Sequence, residues 1–278
     1  MRIAYLGPAG TFSEAAAQAY AEVDDVLMPF ASFPALVSAV ETGLADATVL
    51  PIENSLEGTV ATTLDLLIHE TDLQICRELT VPVRHCLVGA VGASITDITV
   101  VRSHPQAIGQ CRRFIERCLP NASESAALST AGAVEEVARS TDLHIAAIGP
   151  ARAAELYGGT VLARNIEDNH QNVTRFVALS DRDHAPTGND KTSLAVSVRR
   201  NVPGSLHAVL DELAADAIQM TKLESRPAKN VLGEYFFVIE FEGHRLDPRI
   251  AAALERMRAK SDIMKIFGSY PIYVQPTA

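Results

Sequence analysis

Asn169-His170-Gln171-Asn172-Val173-Thr174-Arg175-Phe176-Val177-Ala178-Leu179 runs from a polar cluster straight into a β-branched, apolar segment. Side chains alternate along a strand, so Asn172, Thr174 and Phe176 share one face and Arg175 points to the other. Polar groups at a strand mouth, ahead of a buried segment, are what a ligand cleft in an α/β domain uses. An ordinary strand has the same look, with threonine there for its β propensity and asparagines in a turn. The rest of the chain has to decide between them.

The whole chain sets the bounds. Its 278 residues suit one sizeable domain and a smaller one, and 47% hydrophobic with 21% charged residues is the make-up of a globular chain. A net charge of −10 argues against nucleic acid and anionic membrane as partners. It would also repel an anionic ligand, so an anion site has to be built locally, from helix N-termini and single arginines. No apolar run approaches the ~20 residues that span a bilayer. Met1 to Pro8 breaks at Gly7-Pro8 too early for the core of an export signal, so the expected compartment is the cytoplasm. Cys76, Cys86, Cys111 and Cys118 form no C-x-x-C and have no histidine at ligand spacing. They read as small buried hydrophobes in a reducing compartment, and no metal site is expected.

Upstream, Ile3–Leu6 is a short strand, followed by Gly7-Pro8-Ala9-Gly10 and a helix opened by Thr11 and Glu14 as a capping box. Strand, glycine turn and helix N-terminus make an anion cradle, though a plain βα turn looks alike. Ser32 caps a helix from Pro34 to Glu41. A strand at Ala47–Leu50 then empties into Pro51-Ile52-Glu53-Asn54-Ser55-Leu56-Glu57-Gly58-Thr59, with a helix from Val60 to His69. Its polar residues sit at the carboxyl end of a strand, the usual ligand edge. Strands are expected at Ile75–Leu79, Val83–Val88 and Ile98–Arg102, the first two as a crossing into a second lobe. Ser103 and Gln106 then read as a second capping box, with Pro105 in the first turn. Ser103 and His104 are adjacent at a helix start and do not face one another, which argues against a nucleophile pair. Thr130 reads as the cap of a helix to Ser140, His144–Ile148 as a strand, and Gly149-Pro150 as the start of a helix to Leu156. Alternating strands and helices point to parallel sheets.

Residues 183–190 are polar, with proline and glycine, and read as a linker. Beyond it, strands at Thr192–Val198, Ile218–Leu223, Tyr235–Phe241 and Ile263–Tyr273 alternate with a helix capped by Ser205 that runs to Ala215 and another from Pro248 to Lys260. The order βαββαβ is that of a ferredoxin-like plait.

Five segments resemble prephenate dehydratase, which converts prephenate to phenylpyruvate. They are Asn-x-Thr-Arg-Phe at 172–176, Gly-Pro-Ala-Gly-Thr-Phe-Ser at 7–13, Pro-Ile-Glu-Asn-Ser at 51–55, Ser-His-Pro-Gln at 103–106 with Gln110, and Glu-Ser-Arg-Pro at 224–227. The last, with Pro203-Gly204-Ser205-Leu206, resembles the regulatory ACT domain attached to that family. The resemblance implies an α/β fold: a two-lobed, periplasmic-binding-protein-like catalytic domain over 1–182, with its second lobe at roughly 80–157, and a ferredoxin-like ACT domain over 191–278. It implies Thr174 as catalytic donor to the departing ring hydroxyl. Thr11, Asn54, Ser55, Ser103, Gln110, Asn172, Arg175 and Phe176 would line the substrate. Arg175, opposite Thr174, would either hold a carboxylate or support the loop from behind. Gly204, Ser205, Leu206, Gln219, Glu224, Ser225 and Arg226 would bind phenylalanine across a dimer or tetramer contact. Ser205 stands where alanine is usual and Gln219 where asparagine is common, which bears on effector affinity.

The implied chemistry needs no cofactor and no metal, because aromatisation drives it. The protein has to hold two carboxylates, assist a poor leaving group and exclude water. Arogenate dehydratase would use the same chemistry on an amino-bearing substrate. A non-catalytic two-lobed receptor with an ACT sensor is the alternative of another class. A fused chorismate mutase is not expected, since the first strand begins at Ile3.

Overall fold

A computed structural model describes residues 1–199, 202–229 and 233–273. In chain order the elements begin β1 (Arg2–Leu6), α1 (Phe12–Tyr20), β2 (Val26–Phe30), α2 (Phe33–Glu41), β3 (Ala47–Asn54), β4 (Gly58–Thr59), α3 (Ala61–His69) and β5 (Gln74–Pro82). There follow β6 (Cys86–Gly89), β7 (Val100–Ser103), α4 (Pro105–Gln110), α5 (Arg112–Cys118), β8 (Ser123–Ala126), α6 (Thr130–Ala138), β9 (Ile145–Gly149), α7 (Ala151–Tyr157) and β10 (Thr160–Arg164). The last are β11 (Val173–Ser180), β12 (Asp190–Val198), α8 (Ser205–Ala215), β13 (Met220–Pro227), β14 (Tyr235–Glu242), α9 (Pro248–Lys260) and β15 (Ser261–Pro271). Among the described residues no helix is long and apolar enough to cross a membrane.

Three sheets organise these elements. The first has the order β2-β1-β3-β11-β5, with β4 paired to β3. The second, β10-β6-β9-β7-β8, is mixed rather than parallel: β7 runs parallel to β8 and β9, while β6 is antiparallel to β9 and β10. Alternation gives it two apolar faces. Leu87, Ala146 and Ile148 pack with Ile108, Cys111 and Ile115 of the α4–α5 side, and Cys86, Val88 and Ala147 pack with Val134, Val137 and Ala153 of the α6–α7 side. The third sheet has the order β13-β14-β12-β15, with antiparallel pairing throughout. Leu194, Val196, Ile239 and Phe241 share one apolar core with Val209 and Leu213 of α8 and Ile250 and Met257 of α9. This is the ferredoxin-like plait read from the order of elements.

The chain divides into two compact units, Met1–Leu36 with Val49–Val60 and Thr80–Phe176, and Val37–Thr48 with Ala61–Leu79 and Val177–Ala278. All catalytic and substrate candidates fall in the first, and all effector candidates in the second. In the first unit Gly10 is at φ +83 and packs so close to α7 that a Cβ there would sit 2.9 Å from the Ala153 Cα. Only glycine suits both the left-handed backbone and that approach. The Tyr157 hydroxyl donates to the Ala9 carbonyl across the same contact, at 2.9 Å.

The second unit buries charge. Lys191 lies 3.0 Å from Glu78 and 3.8 Å from Glu240, all three side chains at most 12% exposed. Asp65 of α3 accepts from Arg226 of β13 at 3.0 Å and pairs with Lys229 at 2.8 Å. Burial works against the Asp65 charge, but these two cations prevail and its pKa lies below the ordinary carboxylate value. The 183–190 stretch is pinned rather than loose. Asp183 accepts from the Ser269 N–H and from Arg245, both at 2.9 Å, and buried Asp190 accepts from Thr187 and Gly188.

Three local expectations are corrected. Val83–Val88 is not one strand: β5 stops at Pro82 and β6 starts at Cys86. Ser129, not Thr130, caps α6, its hydroxyl accepting from the Gly132 N–H. Ser205 is the first residue of α8, and left-handed Gly204 is the cap.

Candidate active site

Asn54 ends β3, just where the chain turns through Leu56 and Glu57 toward β4. Its Oδ1 accepts the backbone N–H groups of Leu56 (3.0 Å) and Glu57 (3.1 Å), so the amide is locked with oxygen toward the turn. The Nδ2 therefore faces β11, where it donates to Asn172 Oδ1 at 2.8 Å and to Thr174 Oγ1 at 2.9 Å. One side chain reaching both residues shows that they share a face, as alternation requires. With its Oδ1 occupied, Asn172 turns Nδ2 to Gln110 Oε1, 3.2 Å away. The His85 Nε2 reaches that same oxygen at 3.1 Å. An amide oxygen only accepts, so Nε2 carries the proton.

The polarity of the whole chain thus follows from two backbone N–H groups. Its consequence for Thr174 is direct. The hydroxyl oxygen receives a donor from behind, which leaves its own proton to point elsewhere.

His85 sits in the break between β5 and β6, 2% exposed, with Phe12 edge-on at 5.6 Å between ring centroids. Burial drives its pKa below the ordinary value, only partly offset by Gln110 and Glu167, so the ring is neutral. Its Nδ1 is buried without a partner among the described residues. Glu167 accepts the His85 N–H at 2.9 Å and the His170 ring at 2.9 Å, with Arg84 at 3.6 Å. Burial opposes the Glu167 charge, but the His85 N–H, His170 and Arg84 outweigh it and its pKa is lowered.

Within the first unit a cavity of about 300 Å³ opens on this chain, a volume suited to a small ring compound. Phe12, Pro51, Val60, Val83 and Ala107 form its apolar wall. Asn54, Thr174, Gln110, Gln106, Thr130, His85 and His104 supply its polar groups. No lysine or arginine is among the residues that line it. The expectation of a local arginine is therefore corrected. Arg175 turns to Glu53, 2.9 Å away, and braces the β3 end from behind.

The cavity gathers Thr174, Asn54 and Gln110 from the expected set, with Asn172 buried just behind them. Four others lie outside it. Thr11 caps α1, accepting from the Glu14 N–H and donating to the Leu6 carbonyl, both at 3.2 Å. Its box is displaced by one residue, because Glu14 accepts from the Gly10 N–H. Ser55 laces the loop to β11, accepting from the Val173 N–H at 3.0 Å. Ser103 is neither a cap nor a lining group: it ends β7 fully buried and donates to the Ile148 carbonyl at 2.6 Å, while His104 takes the cap. Phe176 is 2% exposed and belongs to the core.

Of the effector candidates, Gly204, Ser205 and Leu206 form the N-terminal turn of α8. On β13 exposure alternates, with Glu224 and Arg226 half-buried and Ser225 exposed between them. Arg226 is held by Asp65, and Gln219 donates to the Met220 carbonyl at 2.8 Å.

Several cavity residues escaped sequence reasoning: His85, His104, Gln106 and Thr130. Pro82, followed by Arg84 and His85, was the available sign that a strand breaks there and exposes a side chain. Among the described residues there is no cluster of three or more His, Cys, Asp or Glu that could hold a metal.

Known proteins resemble this chain over nearly its whole length. A bifunctional chorismate mutase/prephenate dehydratase of Neisseria gonorrhoeae is 43% identical over 274 residues, covering 99% of this chain and 75% of the relative. A prephenate dehydratase from Arthrobacter aurescens, solved in complex with L-Phe, superposes with a TM-score of 0.90 at 36% identity, over 99% of this chain and 93% of that one. A structure described as GqqA, a novel type of quorum quenching acylase, superposes at 0.88 with 34% identity, over 98% of each chain. The family model for prephenate dehydratase matches residues 3–184, the span that carries the cavity and its amide chain, and the chain belongs to that family.

Proposed function

We propose that the protein is a carbon–oxygen lyase that converts prephenate to phenylpyruvate, with Thr174 as the donor to the leaving hydroxyl. The observation that supports this most is the Asn54 amide, which donates to Thr174 Oγ1 at 2.9 Å while its own oxygen is locked by two backbone N–H groups. A hydroxyl that accepts from behind presents its proton forward and is polarised for donation. In the reaction the ring carboxylate leaves as carbon dioxide, and the electrons of its C–C bond enter the ring. The opposite C–O bond breaks, and the departing oxygen takes the Thr174 proton to leave as water, the Thr174 oxygen regaining a proton from solvent as the products leave. Thr174 stabilises that oxygen as it becomes basic, in a cavity walled by Phe12, Pro51, Val60 and Val83 that keeps water from competing. The group that meets Thr174 from behind is the Asn54 amide, its polarity fixed by two backbone N–H groups, so no proton relay runs back through it.

Gln110, Gln106, Thr130 and His104 are the groups available to orient the substrate's carboxylates from the second sheet's side of the cavity. For the C-terminal plait we propose an ACT domain, linked to the catalytic domain by 183–190, that binds phenylalanine in a homo-oligomer through Gly204–Leu206, Gln219 and Glu224–Arg226. The expected compartment is the cytoplasm. An acyl-transfer reading is disfavoured at Thr174, which receives a donor where a nucleophile needs a base.

Phenylpyruvate formation from prephenate, measured beside arogenate with and without phenylalanine, tests the reading. Prephenate turnover that responds to phenylalanine is the expected result. Preference for arogenate would move the substrate, and no product from either would leave a receptor. Thr174→Ser should keep much of the activity, and Thr174→Val should lower kcat about 10²–10³-fold. A fully active Thr174→Val variant would falsify the role.

A further inference from the structure

We infer that His85 is a positioning residue for substrate carboxylate recognition: it holds the Gln110 amide with its NH₂ group turned to the cavity. The inference rests on the dehydratase reading, because it needs a carboxylate ligand. The residues that line the cavity include no lysine or arginine, so its amides and hydroxyls are the donors open to a carboxylate, with His104 beside them. For such a site, the direction of each amide matters more than its presence. A carboxylate accepts from an NH₂ group and is repelled by an amide oxygen.

Gln110 lies on α4 and lines the cavity, and an unrestrained glutamine would present either end. Here both protein donors converge on its Oε1, the His85 Nε2–H at 3.1 Å and the Asn172 Nδ2 at 3.2 Å. The Nε2 amino group has no partner among the described residues. A flipped Gln110 would set NH₂ against the Asn172 donor and move the His85 proton to Nδ1, where no acceptor stands among the described residues.

His85 is fixed for this task. Its N–H is held by Glu167 and its carbonyl accepts the Ile166 N–H at 3.0 Å, while the Phe12 ring packs on its edge. Among the described residues its Nδ1 has no partner, so the ring's hydrogen bond there is the one to Gln110. The same segment holds Gln110 itself, through the Asp168 N–H to the Gln110 carbonyl at 2.7 Å. Histidine and glutamine are thus set by one loop, and their relative placement does not depend on the ligand.

The test compares His85→Phe, His85→Gln and His85→Asn. Phenylalanine keeps the ring and removes the donor. Glutamine returns an N–H near the position of Nε2, whereas asparagine reaches only the position of Nδ1. His85→Phe should raise the KM for prephenate about tenfold with kcat little changed, since the lost interaction is made equally to substrate and transition state. His85→Gln should recover most of that loss and His85→Asn should not. On a Gln110→Ala background, His85→Phe should add nothing further.

Phenylpyruvate binding, followed by calorimetry, gives the same comparison with a carboxylate probe and needs no turnover. Tenfold weaker binding by His85→Phe supports the inference; equal binding by wild type and variant, or by neither, overturns it. So do an unchanged KM, a loss shared equally by kcat and KM in all three variants, or additive losses on the Gln110→Ala background. Wild-type turnover with an unaffected His85→Phe variant would sink this inference and leave the dehydratase reading standing. Phenylpyruvate binding that His85→Phe weakens, in a chain that turns over no prephenate, would do the reverse.

Discussion

The two units bury polar groups in different ways. In the first, Thr174, Asn54, Asn172, Gln110 and His85 form a chain without net charge, its direction dictated by backbone N–H groups. In the second, Lys191 stands between Glu78 and Glu240, and Asp65 takes Arg226 and Lys229. A neutral chain with one satisfied orientation costs little to bury and holds its donors still, which is what a site needs before its ligand arrives. Buried ions cost more to desolvate, and the loss of one partner strands the other. Order along the Thr174–His85 chain is thus a matter of direction, with one buried ion, Glu167, holding the His85 N–H behind it, and in the second unit a matter of charge balance.

The sharpest way to break the contrast is Lys191→Met, which removes the cation that lies between buried Glu78 and Glu240. Stability should fall by about 3–5 kcal/mol in urea titration. The kcat of the protein that remains folded should be unchanged. Asn54→Asp should do the opposite. A carboxylate still accepts from Leu56 and Glu57 but cannot donate, so the Thr174 hydroxyl turns inward. We expect kcat to fall about 10²-fold in steady-state assays, with a smaller loss of stability than in Lys191→Met, because the Leu56 and Glu57 N–H groups still meet the new charge. If Asn54→Asp were the destabilised variant and Lys191→Met the inactive one, the division of labour would be reversed.

The smallest effect is the pH response. His85 has a folded pKa below its unfolded value of 6.5, so its contribution to stability is complete above about pH 6.5 and is lost as pH falls through the folded pKa. Glu167 is also lowered, from 4.5, so its contribution is complete above that value and lost at still lower pH. Melting temperatures should therefore be level from pH 7 to 8 and decline in two stages on acidification. His85→Gln should shrink the first stage, to which His69, also lowered by burial, contributes, and leave the second.

Much of this was legible in the sequence where neighbours along the chain determine the outcome. The alternation that set Asn172 and Thr174 on one face needs only the strand period, and Asn54 touches both. The plait followed from the order of its elements. What could not be read depends on partners far along the chain. Ser-x-x-Gln at 103–106 has the form of a cap, yet Ser103 finds a carbonyl 45 positions on, at Ile148. Phe176 continues the face of Thr174, but β11 has already entered the core there. Arg175 offered two roles, and the choice was made by Glu53, on another strand. His85 was hidden because Val83–Val88 has the composition of an unbroken strand, and only the pairing shows where it stops.

The turn after Asn54 has a consequence for how this protein can vary. Leu56 and Glu57 orient the site through their main-chain N–H groups alone, while their side chains are exposed. Almost any pair of amino acids at these positions would keep the same alignment of Asn54. Proline is the exception, because it alone lacks the hydrogen on which the alignment depends.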